Sequence, residues 1–281
     1  MRIASARHVW PELNHAETRQ ESNKAMGMVI AADGMHLGDQ GMKTPVVMSW
    51  SGGKDSALAL HELRMSGQYE VVALMTSISE EYHRISHHGV REDLLERQAE
   101  AIGIPLEKIY LPSGKSQPCT NEVYEQIMGD VMSKFYARGV RTVAFGDLFL
   151  EDLRAWREAN LAKAGMRGVF PIWKRDTTKL AHEVIAMGFK AYLSCVEGKV
   201  GPGFVGRPYD LELLRDLPRE IDPCGEYGEF HSFVYDGPIF SRPVAVQVGE
   251  IVIRDGRYYA DLLPAGLAVL EADLAESIPP V

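Results

Sequence analysis

The chain is short of three things, and each shortage narrows what it can be. Cysteine occurs at positions 119, 195 and 224 alone, widely spaced and with no CxxC pair. Neither a disulfide framework nor a zinc site of that type is indicated, and a reducing, cytoplasmic setting is expected. No stretch approaches the roughly 20 consecutive apolar residues that span a bilayer, and no apolar secretory core opens the sequence, so a soluble protein without a membrane partner is expected. Positive charge is in deficit: 30 Lys and Arg stand against 39 Asp and Glu, a formal net charge of −9. That is the wrong sign for a broad nucleic-acid footprint, and a tRNA substrate loses ground. Internal repeats and low-complexity tracts are missing as well.

What remains is ordinary globular material: 281 residues, 46% of them apolar, enough for one large domain or two modest ones. Residues 1 to 44 carry five basic and five acidic residues but few regularly spaced apolar positions. They read as a poorly ordered extension or an over-long gene start, with the folded part beginning near Thr44.

The most informative segment is Ser51-Gly52-Gly53-Lys54-Asp55-Ser56. It follows the apolar run Pro45 to Met48 and precedes the helical stretch Ala57 to Leu63. Two glycines between a strand and a helix let the backbone approach a ligand, and the helix start offers unpaired N–H groups and a positive dipole end to an anion. The spacing is too short for the GxxxxGKS or GxxxxGKT loop of ordinary nucleotide hydrolases.

Downstream, strands and helices alternate. A helix is predicted from about Asp55 to Met65, a strand over Val71 to Met75, a helix over Arg91 to Ile102 and a strand over Leu106 to Leu111. A helix over Asn121 to Ala137, capped by Thr120 or Asn121, a strand over Thr142 to Phe145, and a helix over Glu151 to Ala164 follow. This alternation implies a parallel sheet covered on both faces, with ligands outside the strands' carboxyl ends. The phosphate loop, Gly146-Asp147 and the loop from Thr76 to Gly89 all fall at such ends. A last short strand is expected in Gly168 to Trp173, then a helix over Thr177 to Met187 with Thr177 as N-cap and Gly188 as its stop. Strands are read at Lys190 to Val196, Phe230 to Tyr235 and Ala245 to Ile253. The texture changes near Ile172, which divides an expected 45–172 nucleotide-binding domain from a 173–281 substrate-binding domain.

Two further clusters carry chemistry. In Gly146-Asp147-Leu148-Phe149-Leu150-Glu151-Asp152-Leu153-Arg154, three carboxylates and an arginine gather at a strand's carboxyl end, and the spacing of Asp147, Glu151 and Arg154 puts them on one helix face. A solvated helix start explains the same residues without function. In Cys224-Gly225-Glu226-Tyr227-Gly228-Glu229-Phe230-His231-Ser232-Phe233, glycines let the chain bend, and Glu229 and His231 share one side of a strand. A carboxylate beside an imidazole can deprotonate a nucleophile, orient a tautomer or bind a metal ion. A turn entering an edge strand is the plainer reading. His83, His87 and His88 read either as loop histidines or as a metal or proton-transfer cluster, Cys224 as a buried thiol, and Trp156 and Trp173 as packing residues or an adenine cover.

The pattern SGGKDS resembles the PP-loop of the ATP pyrophosphatases. The three segments together, over roughly Pro45 to Phe240, resemble the diphthine-ammonia ligase family. That resemblance implies a doubly wound α/β sheet of the HUP, PP-loop type with a smaller C-terminal α+β domain. It implies ATP-dependent amidation of the carboxylate of diphthine, a modified histidine on an elongation factor, with ammonium as nitrogen source and pyrophosphate and AMP as products. Carried over by position, Ser51, Gly52, Gly53, Lys54, Asp55, Ser56 and Gly146 would bind ATP, and Asp55 would help hold Mg2+. Asp147, Glu151 and Asp152 would line the crevice, while Glu226, Glu229 and His231 would close it. Lys54 or Arg154 would stabilise charge on the α-phosphate. The segment Ile85-Ser86-His87-His88-Gly89-Val90-Arg91 departs from the aromatic-rich stretch of diphthine-acting members, which leaves the acceptor open. The competing readings are a PP-loop enzyme acting on another acceptor such as tRNA, and a non-catalytic adenine-nucleotide sensor. Association into a homo-oligomer is left open.

Overall fold

In the computed structural model, which describes residues 42–85, 88–114 and 117–266, the expected alternation builds a parallel sheet. Strand β1 (Thr44–Ser49) leads through the glycine turn into α1 (Lys54–Ser66). Strand β2 (Tyr69–Ser79), the short β3 (Arg84–Ile85), α2 (Glu92–Ile102) and β4 (Leu106–Leu111) follow. A small antiparallel pair, β5 (Ser113–Gly114) and β6 (Gln117–Pro118), precedes α3 (Asn121–Ala137). Then come β7 (Thr142–Ala144), α4 (Glu151–Lys163) and β8 (Arg167–Val169). Parallel pairing runs β4 to β2 to β1 to β7 to β8, while β3 folds back antiparallel on the end of β2. β1 is central and fully buried at Val46, Val47 and Met48, which reads in sequence as the unbroken apolar run of a strand covered on both faces.

The second half forms a different sheet. After α5 (Thr177–Ala186) come β9 (Lys190–Glu197), a short 3-10 turn (Pro202–Phe204), α6 (Leu211–Asp216), β10 (Phe230–Asp236), β11 (Val246–Arg254) and β12 (Arg257–Pro264). Their order is β10-β9-β12-β11, antiparallel throughout. One apolar cluster runs from Met48 and Leu58 through Leu94, Leu180 and Leu193 to Phe233 and Leu262, so the two sheets share a core. A separate cluster, with Met132, Phe135 and Leu161, seats α3 and α4 on the opposite face of the parallel sheet.

Several sequence expectations shift. β2 continues to Ser79, because Thr76 and Ile78 are buried and Ile78 pairs with Ile85, so the loop expected from Thr76 to Gly89 is shorter and contains a strand. α3 is capped by Thr120, whose Oγ1 accepts from the Val123 N–H at 3.4 Å. The cap of α5 is Asp176 rather than Thr177: Asp176 accepts from the Lys179 N–H at 2.8 Å, and the Thr177 hydroxyl instead donates to Asp222 at 2.7 Å. The segment Gly168 to Trp173 gives a strand only to Val169 before turning at Pro171. β12 and α6 were not anticipated. The proposed N-terminal extension lies outside the described residues up to residue 41.

The two sheets are clamped across their seam by one carboxylate. Asp261 on β12 accepts from Arg91 at 2.9 and 2.8 Å and from Arg84 at 2.8 Å. The Arg91 hydrogen bond, helped by Arg84, overrides partial burial and lowers the Asp261 carboxyl to about 2. A depressed carboxylate contributes stability above its ordinary pKa and loses it as pH falls through the folded value. Asp261→Asn should therefore cost about 1–2 kcal/mol at pH 7 in urea unfolding, with the difference from wild type shrinking between pH 3.8 and about 2.

Candidate active site

The three sequence motifs meet at one place. Gly52 turns with φ 74°, and Gly53, which has no side chain to cap with, precedes α1, so the positive end of that helix's dipole lies at the glycine turn. Ser51 steadies the turn, its Oγ accepting from the Gly53 N–H at 3.3 Å and lying 3.1 Å from the Ser56 hydroxyl. The glycines are required by what lies behind them. A methyl group at Gly52 would come within 2.8 Å of Leu95, and one at Gly53 within 3.1 Å of the Ser232 carbonyl oxygen. At Gly146 it would meet the Asp55 backbone at 2.8 Å, which brings the β7 loop directly against the start of α1.

Gln98 holds the loop from beneath, and sequence reading missed it. It is wholly buried on α2, accepts from the Trp50 indole at 3.0 Å, and donates to the carbonyls of Gly52 at 3.0 Å and Val234 at 2.5 Å. The signal was available: a glutamine among Leu94, Leu95, Ala99 and Ile102 sits on the apolar face of an amphipathic helix, where a polar side chain must have partners.

Lys54 does not reach outward. Its side chain is 2% exposed; the ammonium lies 2.8 Å from Asp55, donates to the Cys224 carbonyl, and sits 5.5 Å and 5.4 Å from the centres of the Tyr209 and Phe230 rings. Burial alone would favour the neutral amine, but the adjacent Asp55 carboxylate raises its pKa above the ordinary lysine value. The Lys54 backbone N–H donates to Ser232 Oγ at 3.1 Å, and the Val234 N–H donates to the Gly52 carbonyl at 2.9 Å. The phosphate-type loop thus rests on β10 of the other sheet.

Glu226 joins the remaining motif. Its Oε1 accepts from the N–H groups of Leu148 and Phe149 at 2.9 and 3.1 Å. Burial, and then the charge of nearby Asp55, push its carboxyl up to about 7 against the pull of those two donors. Asp147 lies in the loop before α4 and forms a two-point pair with Arg157, at 2.8 and 3.3 Å.

Other candidates fall elsewhere. The helix begins at Glu151, so Asp147, Glu151 and Arg154 do not share a helical face. Glu151 is exposed and paired with Lys174 at 2.7 Å, and Asp152 is also exposed. Arg154 stacks over Phe170 and Trp173 and pairs with Glu158 at 2.9 Å. Glu229 precedes β10 and is buried, accepting from the N–H groups of Asp222 and Tyr227 at 3.3 and 3.0 Å, which shapes the turn that carries Glu226. His231 on β10 lies 4.2 Å, ring to ring, from His88. His83 instead pairs with Glu92 at 3.0 Å, and His87 lies outside the described residues. Cys224 is buried, with burial pushing its thiol up to about 12, so it is no thiolate nucleophile. Trp156 packs near Tyr124 and Trp173 near Phe170.

The raised Glu226 has a measurable signature. A folded-state pKa above the unfolded one favours folding at low pH, fully below about 4.5, and that contribution is lost as pH rises through about 7. Glu226→Gln, which keeps an acceptor for the two N–H groups, should be no more stable than wild type at pH 4 and more stable at pH 8. Carboxyl NMR of the wild type should show one glutamate titrating near 7.

Residues 42–168 match the model of the diphthamide synthase N-terminal domain and residues 176–262 that of the diphthamide synthase C-terminal domain. The chain is similar to the diphthine–ammonia ligase of Bos taurus, 27% identical over 82% of this chain and 92% of that protein. It is also similar to that of Mus musculus, 28% identical over 75% and 85%. Among solved structures, a predicted subunit of tRNA methyltransferase from Methanocaldococcus jannaschii aligns over 68% of this chain and 96% of that one at 18% identity, with a TM-score of 0.36. With both of its domain models matched in order across the two sheets just described, the chain belongs to the diphthamide synthase family.

Proposed function

We propose that the protein is an ATP-dependent, AMP- and pyrophosphate-forming amide ligase of the diphthine–ammonia ligase kind, working in the cytoplasm. The observation that carries this reading is the meeting of the glycine loop and helix start with carboxylates from two other motifs. Lys54 fastens the loop to Cys224 and Ser232, and Glu226 fastens the same turn to Leu148 and Phe149. This reading seats an anionic phosphate at the start of α1, where the helix dipole and its first-turn N–H groups favour negative charge. The division near Ile172 then separates a nucleotide half from an acceptor half.

In the proposed reaction an acceptor carboxylate oxygen attacks the α-phosphorus of ATP, and the bond to the bridging oxygen breaks to release pyrophosphate. Ammonia then attacks the acyl carbon, loses a proton and expels AMP. Bound Mg2+ would neutralise charge on the departing pyrophosphate. In this scheme Asp55, which shares its carboxylate with the Lys54 ammonium at the start of α1, would help hold the ion.

Glu226 is the proton acceptor of this scheme, since a carboxyl at about 7 can take a proton from the incoming nitrogen near neutral pH. Asp147, tied to Arg157, and His231 on β10, beside His88, are assigned in this scheme to the walls of the acceptor site. Lys54 acts by positioning the loop, because its ammonium is enclosed. Free ammonium is the nitrogen source, and the acceptor is a carboxylate such as that of diphthine on an elongation factor.

The test is AMP and pyrophosphate release from Mg–ATP with ammonium, against a panel of carboxylates that includes a diphthine-bearing elongation factor. Release that depends on one acceptor and falls at least about 100-fold in Asp55→Ala is expected. Tight ATP binding with no pyrophosphate from any acceptor would instead favour a nucleotide sensor.

A further inference from the structure

β11 is the outermost strand of its sheet, and among the described residues no strand pairs with its outer edge. The two-residue turn Asp255-Gly256, with φ of 48° and 76°, sets Arg254 opposite Arg257. In such a hairpin the flanking pair exchanges both backbone hydrogen bonds. Arg254 and Val252 therefore direct their N–H and C=O groups toward β12, and Ile251 and Ile253 direct theirs outward.

Those two isoleucines are also bare in their side chains, 53% and 65% exposed. They stand opposite Ala260 and Tyr258, on the sheet face whose Ala260 and Leu262 belong to the core. The apolar layer thus runs to the edge and stops there uncovered. Proteins usually blunt such an edge with charge, proline or a bulge. Here the register shift between Val248 and Ile251 interrupts one end and leaves Ile251 to Arg254 regular.

We infer that β11 is a self-association edge, pairing antiparallel with β11 of a second copy of this chain about a two-fold axis through Val252. The outward backbone groups allow centres at residues 251, 252 or 253. Centring on Val252 sets Ile251 opposite Ile253 twice, Val252 opposite itself and Glu250 opposite Arg254 twice. One face then gathers four isoleucines, and the other carries paired valines flanked by two ion pairs. Centring on Ile251 would put Arg254 against Val248, and centring on Ile253 would put Ile251 against Asp255. Charge and hydrophobic complementarity select the Val252 centre. The contact is short, so the dimer is weak and reversible. This inference does not depend on the proposed catalytic reading.

Sedimentation velocity on the full chain over a concentration series tests it, together with cysteine cross-linking. A reversible dimer is expected. Glu250→Arg alone and Arg254→Glu alone should each weaken it at least about ten-fold, and the two together should restore it. Val252→Cys should cross-link under mild oxidation, because facing non-hydrogen-bonded positions lie about 4.5 Å apart. Ile251→Cys and Ile253→Cys should not. The wild type, whose Cys119, Cys195 and Cys224 are buried, is the control. A monomer at every concentration overturns the inference, as does a dimer indifferent to the charge swaps. So does a monomer whose Ile251 and Ile253 amides resist hydrogen exchange, which would mean that another part of the chain covers the edge.

Discussion

A lysine ammonium with almost no exposure, held between the Asp55 carboxylate and the Cys224 carbonyl, is the constraint on which the rest of this structure depends. An ion taken out of water is tolerated only when paired and hydrogen-bonded. Asp55, the neighbour of Lys54 in the chain, supplies the charge partner, and the Cys224 carbonyl supplies a further acceptor, so enclosing the ammonium ties the Cys224 turn to the start of α1. The same contact brings Ser232 under the Lys54 N–H and Glu226 to the loop after β7. A glycine loop that would otherwise be a local turn is thereby built from both halves of the chain.

Electrostatics then follow from packing. Burial first, and then the charge of Asp55, push the Glu226 carboxyl up to about 7. Burial also raises the Asp55 carboxyl, against the pull of the Lys54 ammonium, whereas Glu226 has only two backbone N–H donors to oppose its burial. A carboxyl set near neutrality between two motifs is the kind of group that exchanges protons with a reacting partner.

Much of the fold was legible in the sequence. The β4 strand and the α3 helix fall at the residues expected, because Leu106 to Leu111 and Asn121 to Ala137 combine clear periodicity with a stop or a cap. The misses have physical causes. β12 follows β11 through Asp255-Gly256, a hairpin signal whose second strand, rich in tyrosine and leucine but ending in proline, reads weakly by alternation alone. Asp176 displaced Thr177 as cap because the Thr177 hydroxyl is claimed by Asp222, a partner 45 residues away. The site shows the same division. Local sequence marked the glycine loop and the Glu226 turn, whereas the burial of Lys54, the role of Gln98 and the outward turn of Glu151 arise from contacts between segments far apart in the chain. Spacing along a helix cannot report those contacts, since the helix begins only after Asp147.

The second sheet holds the glycine loop, and Ser232 is the simplest probe of whether that support serves the proposed nucleotide. Mg–ATP affinity by calorimetry should fall about ten-fold in Ser232→Ala, which leaves the Lys54 N–H without its acceptor, while the unfolding midpoint moves by only a few degrees. Unchanged affinity in that variant, or no Mg–ATP binding by the wild type, would contradict the account.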